Sequence, residues 1–129
     1  MIFVDTNVFM YAVGRAHPLR AEAREFFRQA LPRQAMTLCT SAEVMQELLH
    51  AYVPVGRIST LDAALQLVEA TMHDIWPVEA EDIRTARTLL DVHPALGARD
   101  LVHLACCRRR GAARVKSFDR ALASAFAAT

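Results

Sequence analysis

Cysteine is scarce in this chain, and its placement excludes more than its number does. Three occur among 129 residues, Cys39, Cys106 and Cys107. An odd count cannot pair fully within one chain and no CxxC spacing is present, so neither a disulfide framework nor zinc or redox chemistry is expected. Cys106 and Cys107 adjoin on a helical stretch and read as small, buried, reduced apolar residues. Glycine is equally sparse, with four in all. None stands in a GxGxxG or Walker loop, which excludes a nucleotide-binding Rossmann or P-loop role. No serine occupies a nucleophile elbow and no Cys–His pairing stands out, so a catalytic triad is not supported. No apolar run approaches the roughly 20 residues needed to cross a bilayer. Asp5 and Asn7 interrupt the first apolar stretch and no basic region precedes it, so no signal peptide is read and a cytoplasmic location, without membrane attachment, is expected. Lysine is nearly absent too: Lys116 is the only one among 15 basic residues, and the formal net charge is +1. That balance excludes a global electrostatic footprint. The remaining basic residues are all Arg, whose planar fork suits phosphate, although an Arg- and Ala-rich compositional bias accounts for them equally well.

What is present is a regular alternation. Apolar residues make up 53% of the chain, and its length suits one domain, residues 1–129, around one core. Ile2-Phe3-Val4 is a short apolar run of the kind buried on both faces of a parallel sheet. Asn7 is expected to cap a helix over Val8–Val13, and Pro18 opens a second helix that Pro32 closes. Met36–Cys39 is the second candidate strand. Thr40-Ser41-Ala42-Glu43 reads as a capping box with Thr40 as N-cap, beginning a helix that ends before Pro54 and Gly56. Ser59 is expected to cap the next helix. Ile75–Val78 forms a third strand, whose Pro77 points to a sheet edge or a strand end. Helices over Glu79–Leu90 and Gly97–Arg110 follow, the latter stopped by Gly111. Ala113–Ser117 is the fourth strand and Ala121–Ala127 a closing helix. The order predicts an α/β fold, a central four- to five-stranded parallel sheet flanked by helices on both faces. Sites in such sheets lie at the carboxyl ends of the strands.

The acids are placed accordingly. Asp5 follows the first strand and Asp119 the last. Glu47 lies two turns into the helix after the second strand, and Asp100 in the first turns of its helix. Carboxylates crowded into one pocket cannot all stay ionised without a partner. A hard cation such as Mg²⁺ or Mn²⁺ resolves that conflict. One ion can activate water, and a second roughly 4 Å away can stabilise a leaving oxygen, which suits phosphodiester hydrolysis.

The segments Val4-Asp5-Thr6-Asn7-Val8, Ser41 to Leu48, Ala98 to Ala105 and Ser117-Phe118-Asp119-Arg120 together resemble a PIN domain, in particular the VapC-type ribonuclease toxins of prokaryotic toxin–antitoxin pairs. Each motif is weak alone; four in order along nearly the whole chain are specific. The resemblance implies an acidic quartet of Asp5, Glu47, Asp100 and Asp119, one or two Mg²⁺ or Mn²⁺ ions, endoribonuclease activity on cellular RNA, a cognate VapB-like antitoxin and a homodimer. Ser117 stands where Thr is commoner, and the hydroxyl is kept.

Each residue also has a plainer reading. Asp5 can be a turn residue, Asp100 a first-turn acid favoured by the helix dipole, and Asn7 a cap. Thr6, Asn7 and Ser117 are read as supports that orient the acids. Glu43 has a structural task in the capping box, which leaves Glu47 as the helix's site acid. Arg99, Lys116 and Arg120 are candidate contacts to RNA phosphates, and Arg108–Arg110 chiefly complement a helix end. His103, one turn after Asp100, can approach the site but reads first as a hydrogen-bonded helix residue, and His17, His50, His73 and His93 share no ligand spacing. Trp76 reads as a core or interface anchor, because aromatic residues are otherwise sparse near the acids. The alternatives are a non-catalytic PIN-like module binding RNA or protein, a haloacid-dehalogenase-type phosphatase and a DNA-directed nuclease. The phosphatase chemistry wants an acid where Asn7 stands.

Overall fold

Strand β1 (Ile2–Val4) is the axis of the molecule because both of its faces are covered. Successive side chains of a strand point to opposite faces, yet Phe3 and Val4 are both fully buried. The computed structural model describes residues 1–30 and 37–128. β1 pairs in parallel with β2 (Leu38–Ser41) on one side and β4 (Arg114–Lys116) on the other, and β2 pairs in parallel with β3 (Asp74–Trp76). The sheet order is β3-β2-β1-β4, so among the described residues the sheet has four strands. Pro77 follows the last residue of β3, an edge strand, where a missing N–H costs no ladder bond.

Seven helices among the described residues fill the connections: α1 (Thr6–Val13), α2 (Arg20–Ala30), α3 (Ala42–Tyr52), α4 (Ile58–Thr71), α5 (Ala80–Val92), α6 (Ala98–Arg110) and α7 (Arg120–Ala127). Phe3 carries the packing on one face. Its ring stacks on Trp76 at 5.8 Å and lies 5.4 Å from the His103 ring of α6. Trp76 is therefore a core residue, 4% exposed. Cys39, Cys106 and Cys107 are free and buried, and burial pushes their thiols up, Cys39 to about 12 and Cys106 to about 11. They are inert packing groups.

Helix α2 begins at Arg20, so Pro18 lies in the turn before it and not in its first turn; three further helix starts differ in their caps. Asp5, not Asn7, is the N-cap of α1, and its carboxylate accepts the Thr6 N–H. Ser41, not Thr40, caps α3 by accepting from the Val44 N–H. Thr40 still belongs to β2, where its hydroxyl donates to the Val4 carbonyl at 2.9 Å, so the expected capping box with Glu43 does not form. Arg57, not Ser59, precedes α4. A capping box does form on α5: Glu79 is the N-cap, and the Asp82 carboxylate accepts the Glu79 N–H at 2.8 Å. Gly111 ends α6 in the left-handed region at φ 68°, as its position predicts. The expectations for Pro32 and Met36 fall outside the described residues.

Asp82 holds the end of α6 that lies farthest along the helix from Asp100. Its buried carboxylate accepts from Arg109 Nη1 at 2.8 Å and from Arg110 Nη1 at 2.7 Å. Arg110 also donates to the Pro77 carbonyl and lies over the Trp76 ring. Arg109 and Arg110 thus tie α6 to α5, Arg110 reaches the end of β3 as well, and neither is free for a ligand. Burial raises the Asp82 carboxyl, but the two guanidinium groups and the Glu79 N–H outweigh it and hold the group well below the ordinary range. This contribution is complete above the unfolded carboxyl value and disappears as pH falls toward the folded one. Replacing Asp82 by Ala is expected to cost about 3 kcal/mol in urea denaturation at neutral pH, because it strands two guanidinium groups. An unchanged urea midpoint would show that the network contributes nothing.

Candidate active site

The carboxyl ends of β1 and β4 lie side by side, and this places Asp5 and Ser117 in contact. Asp5 is 4% exposed. Its Oδ1 accepts the Thr6 N–H at 2.8 Å, and its Oδ2 accepts the Ser117 hydroxyl at 2.6 Å and the Asn7 amide at 3.3 Å. Asn7 in turn accepts the Phe118 N–H at 3.1 Å, and Ser117 Oγ accepts the Asp119 N–H at 2.9 Å. Ser117 and Asn7 are therefore the clasp between the two strand ends, a larger role for Asn7 than helix capping. The Thr6 hydroxyl donates to Glu47 Oε2 at 2.9 Å and fixes the second acid.

His103 completes this cluster, contrary to its reading as an ordinary helix residue. Its Nε2 lies 2.5 Å from Glu47 Oε1 and 3.7 Å from Asp5 Oδ1. That close contact lacks hydrogen-bond geometry, so among the described residues Glu47 Oε1 and both ring nitrogens are buried without a hydrogen-bond partner. Ligand atoms of Asp5, Glu47 and His103 lie within 4.8 Å of one another. The signal for His103 was its spacing: it lies three residues after Asp100, on the same helical face.

Asp100 and Asp119 flank this group. Asp100, half-buried in the first turn of α6, makes no hydrogen bond through its carboxylate among the described residues. Burial first, then the charges of Asp119 and Asp5, raise its carboxyl to about 6. Asp119 caps α7 through Oδ1, which accepts from the Ala121 and Leu122 N–H groups, and Oδ2 has no hydrogen-bond partner among the described residues. The structure thus joins Asp5, Glu47 and His103 directly, and links Asp100 and Asp119 to them by field and by the Ser117 clasp. Glu43 is half-buried and makes no cap, so its exclusion rests on position, not on a capping task.

The candidate phosphate contacts divide. Arg99 is exposed beside Asp100, and its charge reaches Glu47. Arg120 is exposed at the start of α7 without an ion pair among the described residues. Lys116 is engaged: its Nζ lies 3.7 Å from Glu22 and 4.9 Å above the Phe118 ring.

The electrostatics show a site short of positive charge. Burial pushes Asp5 above the ordinary carboxyl range, only partly offset by His103, Ser117 and Thr6. Burial also raises Glu47, but His103, the Thr6 hydroxyl and Arg99 reverse the sign and lower it. Burial lowers His103, and the facing acids Glu47, Asp5 and Asp100 raise it overall. Orphaned buried donor atoms, oriented carboxylates and mutual repulsion together fit a hard divalent cation.

A parallel sheet that gathers acids at its carboxyl edge defines a class of α/β domains built for cation and phosphate chemistry. The chain belongs to the PIN domain family, which matches residues 2–126. It is 69% identical over 126 residues to ribonuclease VapC23 of Mycobacterium tuberculosis, with 98% of each chain covered. Among solved structures it is similar in fold to VapC20 of Mycobacterium tuberculosis, a toxin that cleaves the sarcin–ricin loop. The TM-score is 0.79 at 20% identity, covering 97% of this chain and 95% of that one. VapBC2 from Rickettsia felis, solved with a fragment of its promoter DNA, gives a TM-score of 0.64 at 19% identity, covering 90% and 86%.

Because the folded chain holds the Asp100 proton more tightly than the unfolded chain, its ionisation destabilises the fold as pH rises from 3.8 toward about 6. In chelator, Asp100→Asn is expected to raise the Tm by roughly 2–5 °C near neutral pH, and by less at about pH 5. A Tm at or below that of the parent near neutral pH would contradict repulsion at this site.

Proposed function

We propose that this chain, acting as one PIN domain over residues 1–129, is a metal-dependent endoribonuclease toxin of the VapC type that hydrolyses phosphodiester bonds in cellular RNA. The observation that carries this reading is the convergence of Asp5 and Glu47, with Asp100 and Asp119 beside them, at one sheet edge. The 69% identity to ribonuclease VapC23 supports the reaction class. Asp5, Glu47, Asp100 and Asp119 would hold one or two Mg²⁺ or Mn²⁺ ions, which supply an activated water and neutralise charge on the phosphate. Thr6, Asn7 and Ser117 orient two of these carboxylates before substrate arrives, so little reorganisation is needed at the moment of reaction. Among the described residues, Asp100 and Asp119 each leave carboxylate oxygens without a hydrogen-bond partner. Arg99 and Arg120, exposed next to Asp100 and Asp119, are positioned to meet the RNA backbone.

The same reading includes a cognate VapB-like antitoxin, a homodimer and action in the cytoplasm. Leu49, Val53, Val55 and Ile58 expose large apolar side chains at the corner between α3 and α4, which supports coverage of that surface by another protein. Among the described residues no helix is long and apolar enough to cross a membrane.

The test is incubation of purified protein with total cellular RNA and Mn²⁺. Discrete fragments are expected, lost with chelator and reduced at least a hundredfold in Asp5→Asn. Equal cleavage by Asp5→Asn, or cleavage that survives chelator, would overturn the assignment.

A further inference from the structure

The face of α1 that carries Asn7 into the site continues outward as an aromatic surface. Tyr11 lies four residues after Asn7 and so shares its side of the helix. Its ring meets Phe118 edge-on at 5.5 Å and stacks on His17 at 4.3 Å with 24° between the planes. Phe118 stands between Ser117, which holds Asp5, and Asp119. The aromatic row therefore begins at the acids and ends at an exposed imidazole, whereas sequence spacing alone left aromatic residues sparse there.

That imidazole is held in place, although it is exposed. His17 Nδ1 accepts the Leu19 N–H at 3.1 Å, which fixes the ring and leaves Nε2–H as an outward donor. One ring face rests on Tyr11. Beyond His17 an open cleft of about 740 Å³ runs along α2, lined by Ala16, Arg20 and Arg24 among others. Arg20 has no ion-pair partner among the described residues, while the acids of that cleft are matched, Glu22 by Lys116 and Glu25 by Arg28. Lys116 lies over the Phe118 ring and pairs with Glu22, which leaves Arg20 as the unmatched cation of the cleft among the described residues.

We infer that Phe118, Tyr11 and His17 form a stacking subsite for an unpaired nucleotide of the RNA, next to the phosphate that is cut. An exposed, pre-oriented ring beside the unpaired Arg20 guanidinium suits single-stranded nucleic acid: the base stacks, and the arginine meets the backbone. A double helix keeps its bases stacked internally and cannot use the row. The inference rests on the ribonuclease reading, but its readout is binding, not cleavage.

The probe is a single-stranded hexauridylate carrying one 2-aminopurine, titrated in chelator so that it is not cut. His17→Ala is expected to weaken binding roughly tenfold, and His17→Phe to restore it to within about threefold. An abasic residue in place of 2-aminopurine, followed by competition, is expected to weaken binding to the parent protein by a similar factor and to make His17→Ala nearly neutral. A duplex of the same length is expected to compete poorly. Equal binding by His17→Ala and parent, an undiminished effect of His17→Ala on the abasic strand, or duplex competition equal to that of the single strand would overturn the subsite. None of these outcomes touches the nuclease reading, which fails instead if the parent protein leaves RNA intact in Mn²⁺.

Discussion

Burial of the Asp5 carboxylate is the constraint around which the rest of the molecule is arranged. A carboxylate taken out of water must be given hydrogen bonds and opposite charge, or it takes up a proton. Thr6, Asn7 and Ser117 supply the hydrogen bonds, and to do so the start of α1 and the end of β4 must meet at the carboxyl end of β1. The parallel pairing of β1 with β4 provides that meeting, and the clasp in turn sets the direction in which α1 and α7 leave the sheet. Charge is supplied only in part. His103 faces both Asp5 and Glu47, yet Asp5 and Asp100 remain raised, so the protein alone leaves the cluster under-neutralised.

The two ends of α6 solve the same problem in opposite ways. At Asp82 a buried acid meets two guanidinium groups and a backbone N–H, and is stabilised as an anion. At Asp100 an acid meets other acids. The first arrangement serves stability. The second costs stability, which is expected where carboxylates are held for binding a cation rather than for satisfying one another.

Much of this was legible in the sequence because it depends on patterns that survive without coordinates. Short β-branched runs followed by acids located the strand ends, and β1 falls at the expected residues. Gly111 and Pro77 marked their boundaries because each has a backbone constraint independent of neighbours. The helix caps were not legible. Thr40 and Ser41 are chemically equivalent as caps, and the choice between them depends on whether β2 still needs Thr40, which the Val4 carbonyl decides. Asp5 took the cap that Asn7 was expected to fill, since Asn7 is occupied in joining β1 to β4. His103 was undervalued because its spacing from Asp100 is a signal that gains weight only once Glu47 and Asp5 are located opposite it. The aromatic row escaped notice because Tyr11, His17 and Phe118 come from three separate segments.

The claim that Asp5 and Glu47 are held together to bind a divalent ion is tested most directly by Mn²⁺ titration followed by electron paramagnetic resonance. The parent protein should remove one or two equivalents of free-ion signal, while Glu47→Gln, which keeps the size and the Thr6 hydrogen-bonding geometry, should bind at least tenfold more weakly. Identical titrations for the two proteins would contradict it.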